Sequence, residues 1–320
     1  MTIETIPFGQ SDIQITPLIF GGNVFGWTLD EPKSFQILDD FVDKGFNAID
    51  TSNNYSHWVE GNKGGESETI IGNWLIQRGR RDQVILMTKV GGRFGYESKP
   101  NVRGAYIKEQ VEESLRRLKT DYIDLYQTHY DDEVTPIEET LRAYEDLIKE
   151  GKVRYIGASN IGPERLVESL DIAEDKNLPK YISLQPEYNL FDRAKFENLY
   201  QKLALEKQIA VIPYYSLASG FLSGKYQLEE DFAKTSRGKG IKDKYWNERG
   251  RQIVQTQKEI AEKYNVSPSA VALAWLLAQP SITAPIASAT KSEHIVAFVD
   301  ALQLKLAEED IQKLTEASKY

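Results

Sequence analysis

The sequence contains no cysteine among its 320 residues and only three histidines. Without cysteine there is no disulfide bond, no catalytic thiol and no thiolate metal site. The three histidines, His57, His129 and His294, show none of the close spacings of a zinc site, so we expect no metal centre. Because a chain without disulfides fits a reducing compartment, we expect a cytoplasmic protein.

Positive charge is also scarce. The chain has 39 Lys and Arg against 48 Asp and Glu, a net charge of −9, which argues against nucleic acid as a partner. The first ten residues, MTIETIPFGQ, have no basic start and no apolar run, so we expect no signal peptide. The uncharged window 266–290 is interrupted by prolines, and its apolar part, 270–278, is too short to cross a membrane.

Short apolar runs alternate with amphipathic segments along the whole chain. Continuous apolar runs of this length are typical of parallel strands that are covered on both faces. The runs that predict strands are 18–22, 47–51, 84–90, 122–129, 153–159, 181–185, 209–214 and 282–287. The amphipathic segments that predict helices are 33–44, 66–78, 108–119, 136–150, 163–176, 193–207, 251–264 and 268–278.

This alternation predicts an α/β fold, a (β/α)8 TIM barrel. No linker rich in Pro, Gly or Ser divides the chain, so we expect residues 1–320 to form one domain. Before the barrel, ETIPFG and IQITPL flank QSD, which predicts an N-terminal β-hairpin. The stretch 215–250 after the seventh strand is too long for an ordinary connection, and we expect a long functional loop there.

Polar residues repeatedly follow the predicted strands. A single polar strand end is normally only a solvated terminus, but in a TIM barrel all such ends meet at the mouth that carries the active site. Their number therefore favours a shared site. The residues concerned are Asp50, Lys89, His129, Ser159, Asn160, Gln185 and Tyr214.

Tyr55, five residues after Asp50, completes a chemically coherent set. A tyrosine hydroxyl is a poor acid at neutral pH because its pKa is about 10. The ammonium group of Lys89 favours the phenolate, so we expect it to lower the pKa of Tyr55, with Asp50 holding the ammonium in place. His129 can donate a hydrogen bond to a carbonyl oxygen. The set predicts proton transfer to a reduced carbonyl group, a reaction that needs a hydride source.

These residues lie in motifs that resemble the aldo-keto reductase family over nearly the whole chain. The motifs are NAIDTSNNY, GGESETIIGNWL, ILMTKV, YIDLYQTH, GKVRYIGASN, SLQPEYN and GFLSGKY. The resemblance implies an NADP-dependent oxidoreductase that reduces small aldehydes or ketones to alcohols, with Asp50, Tyr55, Lys89 and His129 as a catalytic tetrad and Tyr55 as the proton donor. The chain has no GxGxxG fingerprint, which agrees with a barrel reductase rather than a doubly wound fold.

The resemblance also implies which residues hold the cofactor, NADPH by preference with NADH left open. Ser159, Asn160 and Gln185 would hold the nicotinamide carboxamide, Tyr214 would stack on the ring, and residues 217–225 would cover the pyrophosphate. The full expected set is Gly22, Asn23, Asp50, Ser159, Asn160, Gln185, Tyr214, Tyr215, Ser216, Leu217, Ser219, Gly220, Leu222, Gly224, Lys225, Arg237, Ser288, Thr290, Lys291, His294 and Phe298.

Two departures from the family pattern bear on the cofactor. Relatives often have Tyr-Ser-Pro-Leu after the seventh strand, whereas this chain has YYSL, so the bulk of Tyr215 can change how the cofactor lies. Ala297 and Phe298 replace a usual Glu-Asn pair, and Phe298 either stacks on adenine or packs inward from a helix. We expect Lys291 and His294 to supply positive charge for the 2′-phosphate of NADPH.

Trp27, His57 and Trp58 are candidates for an aromatic wall of the substrate pocket. The alternative is that the tryptophans only anchor their loops to the barrel. Two other functions also remain open. A Schiff-base aldolase would use Lys89 as its nucleophile, although it would not need the cofactor motifs. Channel-associated β-subunits share the fold and the tetrad, and bind NADPH with little turnover. The sequence gives no indication of oligomeric state.

Overall fold

A parallel barrel forms the centre of the protein, and a short hairpin precedes it. The computed structural model describes residues 3–95, 98–235 and 237–320. The hairpin pairs β1 (Ile6–Pro7) with β2 (Gln14–Ile15), as predicted. The barrel strands are β3 (Ile19–Gly21), β4 (Ala48–Asp50), β5 (Ile85–Val90), β6 (Ile123–Thr128), β7 (Val153–Ser159), β8 (Tyr181–Gln185), β9 (Ala210–Val211) and β10 (Ile286–Ala287). Each strand lies inside one of the predicted apolar runs.

The eight strands pair in parallel in the order β10-β3-β4-β5-β6-β7-β8-β9. Further backbone hydrogen bonds connect the two outer strands: Thr283 N donates to Val211 O at 2.9 Å, and Ile286 N donates to Pro213 O at 2.9 Å. The predicted (β/α)8 barrel is therefore confirmed. Strands β9 and β10 are shorter than their apolar runs, and Pro213 and Pro285, which have no N–H group to donate, lie beside them.

Helices surround the barrel. They are α1 (Glu31–Asp43), α2 (Glu66–Arg78), α3 (Gly104–Leu118), α4 (Ile137–Lys149), α5 (Pro163–Asp175), α6 (Ala194–Leu199), α7 (Gln201–Lys207), α8 (Gly238–Tyr245), α9 (Glu248–Tyr264), α10 (Pro268–Leu277), α11 (Ser292–Gln303) and α12 (Glu308–Ala317). All predicted helical segments contain helix, and 193–207 divides at Tyr200 into α6 and α7. Within the described residues, no helix is both long and apolar enough to cross a membrane.

The long connection after β9 is more ordered than the sequence predicts. It contains two 3-10 segments, Ala218–Ser223 and Glu229–Lys234, followed by α8 and the start of α9. Position 236, within the predicted loop, lies outside the described residues. The predicted long loop therefore contains helical segments along much of its described length.

The interior of the barrel has an apolar floor and a polar upper layer. The hairpin seals the floor, where Phe8 and Ile15 are fully buried against interior residues such as Met87 and Leu125. Because side chains two positions apart on a strand share a face, the residues after Met87 and Leu125 on the inner face are Lys89 and Gln127. The same alternation along each strand places polar side chains towards the mouth.

Candidate active site

The inner face of five neighbouring strands, β4 to β8, ends in a buried polar side chain. Each of these side chains is at most 2% exposed. They are Asp50, Lys89, Gln127, Ser159 and Gln185. The sequence analysis named four of them and missed Gln127. The inward spacing of Leu125 and Gln127 within YIDLYQTH was the signal that could have found it.

Lys89 is the centre of this layer. Its Nζ donates to Asp50 Oδ2 at 2.6 Å, to Thr51 O at 2.8 Å and to Tyr55 Oη at 2.8 Å. An ammonium group has three hydrogens, so these contacts use all of them. Burial lowers the pKa of Lys89, while the carboxylate of Asp50 acts in the opposite direction. The pair is thus a fully buried ion pair with its donors satisfied.

Tyr55 meets Lys89 as predicted, but the expectation of a lowered pKa is wrong. Burial raises the pKa of Tyr55 well above its ordinary value, and the negative charge of Asp50 adds to the increase. The phenol therefore holds its proton at neutral pH. Since Lys89 donates to Oη, the hydroxyl hydrogen of Tyr55 is directed to another acceptor.

The second oxygen of Asp50 is held by two amides. Asp50 Oδ1 accepts from Gln127 Nε2 at 2.9 Å and from Gln185 Nε2 at 3.0 Å. Gln185 also donates to Gln127 Oε1 at 3.2 Å, which uses both of its N–H groups. Gln185 Oε1 accepts no hydrogen bond from a described residue, so it is the atom of this side chain that can accept from a ligand.

His129 follows β6 and stands beside Tyr55, with 6.0 Å between the two ring centres. Its carbonyl oxygen accepts from Asn160 Nδ2 at 3.0 Å, and its Nδ1 lies 3.1 Å from Ser52 Oγ. Burial lowers the pKa of His129 well below its ordinary value, and the charge of Lys89 acts in the same direction. The imidazole is therefore neutral at pH 7, and all four residues of the expected tetrad lie in one cluster.

The residues expected at the carboxamide adjoin this cluster. Tyr214 Oη donates to Asn160 Oδ1 at 3.1 Å, and Ser159 Oγ donates to the carbonyl oxygen of Gln185 at 2.8 Å. A second group lies where β3 meets β10: Ser288 Oγ contacts Asn23 Oδ1 at 2.7 Å. Gly22 precedes Asn23, and a Cβ atom there would lie 3.1 Å from the carbonyl oxygen of Asp50.

The segment after β9 has an unusual backbone. Tyr215, Ala218 and Ser219 have φ values of 55°, 47° and 57°, in the left-handed region that non-glycine residues rarely adopt. Alternating backbone conformations of this kind turn N–H groups towards one side and form anion sites. A Cβ atom on Gly220 would lie 3.5 Å from Lys225 Nζ, so a cation is close to the same backbone. The segment therefore has features that suit a phosphate.

Buried side chains of the expected cofactor set also occur outside the polar layer of the strand ends. Ser216, Leu222 and Phe298 are at most 1% exposed. The ring of Phe298 packs edge-on against Phe41 and Phe46. Of its two interpretations, inward packing is the one that the structure shows, and stacking on adenine is not.

Lys291 and His294, in the C-terminal segment, offer less positive charge for a phosphate group than expected. Lys291 is exposed and lies 3.2 Å from Glu293. Burial lowers the pKa of His294, and the charges of Lys291 and Lys225 act in the same direction. The charge of Glu293 acts against this lowering. The predicted role of His294 beside a phosphate stays a prediction. Thr290 is exposed, and its backbone N–H donates to His294 Nδ1 at 3.3 Å.

Arg237 has an unusual environment. Its guanidinium carbon lies 4.2 Å from the ring centre of Trp27. Its guanidinium forms no hydrogen bond or ion pair with the described residues, although each of the other partly or fully buried arginines there donates at least one hydrogen bond from its side chain. Those arginines are 78, 81, 117, 154, 165, 193 and 249. A half-buried guanidinium with open donors suits a bidentate anion such as phosphate.

Aromatic rings line the mouth beside Tyr55. Trp58 contacts Trp27 edge-on, with 5.4 Å between ring centres, and lies 6.1 Å from Tyr55. His57 packs against Trp58 at 5.2 Å, and Phe94 against His57 at 6.2 Å. Because Trp58 is 43% exposed, this wall opens to solvent. The arrangement suits a flat or apolar substrate.

A surface cavity of about 500 Å³ lies away from the tetrad. A Cβ atom on Gly224 would lie 3.2 Å from Lys258, so the cavity adjoins the end of the segment after β9. Its lining residues are Lys258, Ala261, Glu262, Asn265, Val266, Ser267, Pro268 and Asp300. Among the described residues, no three His, Asp or Glu side chains gather to hold a metal ion.

Known proteins resemble this chain over almost all of its length. The profile of the Aldo/keto reductase family matches residues 17–319. The chain is 33% identical to the uncharacterised oxidoreductase YrpG of Bacillus subtilis, over 98% of this chain and 95% of that protein. It is 34% identical to the aldo-keto reductase YhdN of Bacillus subtilis, over 91% of this chain and 84% of that protein. It is 29% identical to norsolorinic acid reductase of Aspergillus flavus, over 97% and 80% of the two chains. The chain therefore belongs to the aldo/keto reductase family, whose members are generally nicotinamide-dependent oxidoreductases of carbonyl compounds.

Proposed function

We propose that this protein uses NADPH to reduce an aldehyde or a ketone to an alcohol, with Tyr55 as the proton donor. The observation that carries the proposal is the position of Lys89 Nζ, 2.6 Å from Asp50 Oδ2 and 2.8 Å from Tyr55 Oη. Lys89 donates to the phenol oxygen, so the phenol hydrogen is left for a substrate oxygen.

The residues present fit a nicotinamide cofactor. Gln185 Oε1 accepts no hydrogen bond from a described residue and can accept from the N–H of a carboxamide. The open guanidinium of Arg237 and the ammonium groups of Lys225 and Lys291 can meet phosphate groups. Tyr214 lies next to Asn160, where its ring can cover a nicotinamide. When bound, the cofactor supplies the hydride.

The side chains of this protein perform the proton transfer. As the substrate oxygen gains negative charge, Tyr55 gives up its proton to it. Lys89 then stabilises the phenolate, because its Nζ already donates to Oη. Burial lowers the pKa of Lys89, and the carboxylate of Asp50 acts against this lowering. Gln127 and Gln185 hold Oδ1 of Asp50, so that Oδ2 faces Lys89.

The aldolase alternative does not suit this geometry. A Schiff base forms from a neutral amine with an accessible lone pair. Lys89 is 0% exposed, and its three hydrogens are donated to Asp50, Thr51 and Tyr55. An auxiliary subunit with little turnover would share the site, so turnover distinguishes it from a reductase.

The test is oxidation of NADPH and NADH in the presence of a panel of aldehydes and ketones that includes 4-nitrobenzaldehyde. We expect turnover by the wild type and at least a ~10²-fold lower rate for Tyr55→Phe, the scale of general acid catalysis. Cofactor affinity, measured by fluorescence titration, should be the same in both. Binding of NADPH without turnover of any carbonyl compound would support the auxiliary subunit, and a near-wild-type kcat for Tyr55→Phe would exclude Tyr55 as the acid.

A further inference from the structure

A buried asparagine joins the loop that follows β8 to the segment that follows β9. The two stretches of chain continue to pair beyond the strands: Tyr214 N donates to Pro186 O at 2.9 Å, and Tyr188 N donates to Tyr214 O at 3.4 Å. Asn189 is the next residue of the first loop and the last residue of the motif SLQPEYN. It is 0% exposed, so its polar atoms depend on partners within the protein.

The contacts of Asn189 determine which way its amide group points. Its Oδ1 accepts from the backbone N–H groups of Phe191 at 2.8 Å and of Asp192 at 2.9 Å. A backbone N–H group only donates, so the atom that faces these two groups is the amide oxygen. The amide nitrogen therefore faces the other segment, where it donates to the carbonyl oxygen of Tyr215 at 3.0 Å. Its second hydrogen is donated to Asp192 Oδ2 at 3.1 Å, which uses the last hydrogen-bonding position of the amide.

The backbone of Tyr215 has a conformation that a tyrosine adopts only at a cost. Its φ value is 55°, in the left-handed region, which is unfavourable for a residue with a Cβ atom. Its carbonyl oxygen accepts from Ala218 N at 2.6 Å as well as from Asn189 Nδ2. The hydrogen bond from Asn189 therefore stabilises a strained residue just before the segment 217–225.

Asp192 connects the same loop to α8. Its Oδ2 also accepts from Tyr245 Oη at 2.9 Å, and its Oδ1 lies 3.0 Å from Lys244 Nζ. The ring of Tyr245 stacks on Phe221, with 5.5 Å between the ring centres. The loop after β8 thus holds the segment 217–225 directly at Tyr215 and, through Tyr245, at Phe221.

We propose that Asn189 is a positioning residue for the cofactor, because it holds Tyr215 in the left-handed conformation and so sets the backbone that binds the pyrophosphate. This inference rests on the proposed function, in which the segment 217–225 covers that group. The hydrogen-bonding positions of Asn189 are all used within the protein, so it acts on the cofactor only through the segment. NADPH and NADH share the pyrophosphate, and their binding should depend on Asn189 equally.

The test is a fluorescence titration of NADPH and of NADH with the wild type and Asn189→Ala. We expect both dissociation constants to rise roughly tenfold, the scale of one lost hydrogen bond, with their ratio unchanged. The kcat at saturating NADPH should not fall, because the substitution leaves the tetrad intact.

Asn47→Ala is the matched control. Asn47 also joins two stretches of chain, since it accepts from Thr16 N at 2.9 Å and donates to Gln14 O at 2.9 Å, but it does so beside the hairpin at the barrel floor. We expect this variant to lower the midpoint of thermal unfolding and to leave both dissociation constants at the wild-type value.

The variant Tyr215→Gly distinguishes positioning of the segment from a general loss of stability. Glycine adopts left-handed φ values without strain, so the segment then needs no support from Asn189. In the Tyr215→Gly background, we expect Asn189→Ala to change the dissociation constants by about twofold at most, the limit for independent sites. Because the comparison is made within each background, any contact of the Tyr215 ring with the cofactor cancels.

The same loss of affinity in both backgrounds would overturn the inference, since the effect would then not pass through the backbone of Tyr215. Unchanged dissociation constants in Asn189→Ala, with only a lower midpoint of thermal unfolding, would also overturn it and leave Asn189 a purely structural residue. So would a loss confined to NADPH. A wild type that binds neither dinucleotide would contradict the proposed function as well, whereas wild-type binding without an effect of Asn189→Ala contradicts the inference alone.

Discussion

Lys89 donates a hydrogen bond to Tyr55 Oη at 2.8 Å while its ammonium is also held by Asp50 at 2.6 Å. This relationship assigns opposite functions to the two sides of the phenol. The phenol oxygen of Tyr55 accepts a hydrogen bond from the ammonium group of Lys89, so the phenol hydrogen is free to be donated to a ligand. In the reaction we propose, this arrangement keeps Tyr55 protonated before the proton transfer and stabilises the phenolate after it.

The first prediction concerns the buried pair of Asp50 and Lys89. Lys89→Met removes the cation at nearly constant volume and leaves a buried carboxylate without its partner, which costs ~3–5 kcal/mol. We expect a lower free energy of unfolding in urea, and recovery of most of it in the double variant Asp50→Asn/Lys89→Met. If the double variant is as unstable as Lys89→Met, the unpaired charge is not the cause.

The second prediction concerns pH. As the proposed proton donor, Tyr55 acts in its protonated form. Its pKa is raised, so reduction should be lost only at a more alkaline pH than the ordinary tyrosine value of about 10. His129 has a lowered pKa and stays neutral, so no inflection is expected near pH 6.5. The measurement is kcat/KM against pH, with circular dichroism as the control for folding. An alkaline midpoint clearly below 10 would contradict the raised pKa.

The third prediction tests Gln127 as a positioning residue. Gln127→Leu removes the hydrogen bond to Asp50 Oδ1 and one partner of Gln185. We expect kcat to fall roughly tenfold, because a buried acceptor loses a donor at a cost of ~1–3 kcal/mol. Rescue of kcat in Gln127→Asn would show that the amide is needed. The surface variant Gln312→Leu is the matched control and should have wild-type kcat. Loss of stability with unchanged kcat would make Gln127 purely structural.

The fourth prediction concerns the 2′-phosphate. Lys291→Ala should weaken NADPH binding roughly tenfold, the scale of one charge-assisted contact, and leave NADH binding unchanged. Lys313→Ala on α12 removes a comparable exposed lysine and should affect neither cofactor. Equal effects of Lys291→Ala on both cofactors would mean that this residue does not contact the 2′-phosphate. Preference of the wild type for NADH would overturn the choice of NADPH.

Local patterns in the sequence were enough to predict the architecture. Segment 66–78 became α2 at the predicted bounds because Gly79, with φ 67°, ends the helix with a left-handed residue. The apolar runs became strands because a strand buried on both faces needs apolar side chains at consecutive positions. The polar residues that follow those runs had to meet, since parallel strands of a barrel end at the same edge. Asp50, Lys89 and His129 were therefore found from their positions alone.

The sequence analysis did not predict helices α8, α11 and α12. The apolar runs that it assigned to β9 and β10 are longer than the observed strands. The segment of α8 lies in a stretch rich in Gly and Lys, whose helix depends on packing against neighbouring segments. Phe298 illustrates the same limit, because a phenylalanine on an amphipathic helix suits either a core or a ligand. Only the positions of Phe41 and Phe46, more than 250 residues away in the chain, placed its ring in the core.

The sequence by itself determined which chemical groups this protein brings to the barrel mouth, because strand ends and their order follow from local patterns. Only the tertiary structure decided the state of those groups. Burial raised the pKa of Tyr55, against the expectation, and lowered that of His294. The ring of His129 contacts Ser52, Ser52 contacts Asn54, and Asn54 donates to a carbonyl group at Arg93; these residues come from two different loops. Desolvation and hydrogen-bond direction depend on neighbours that are distant in the chain, and these neighbours are set by the fold.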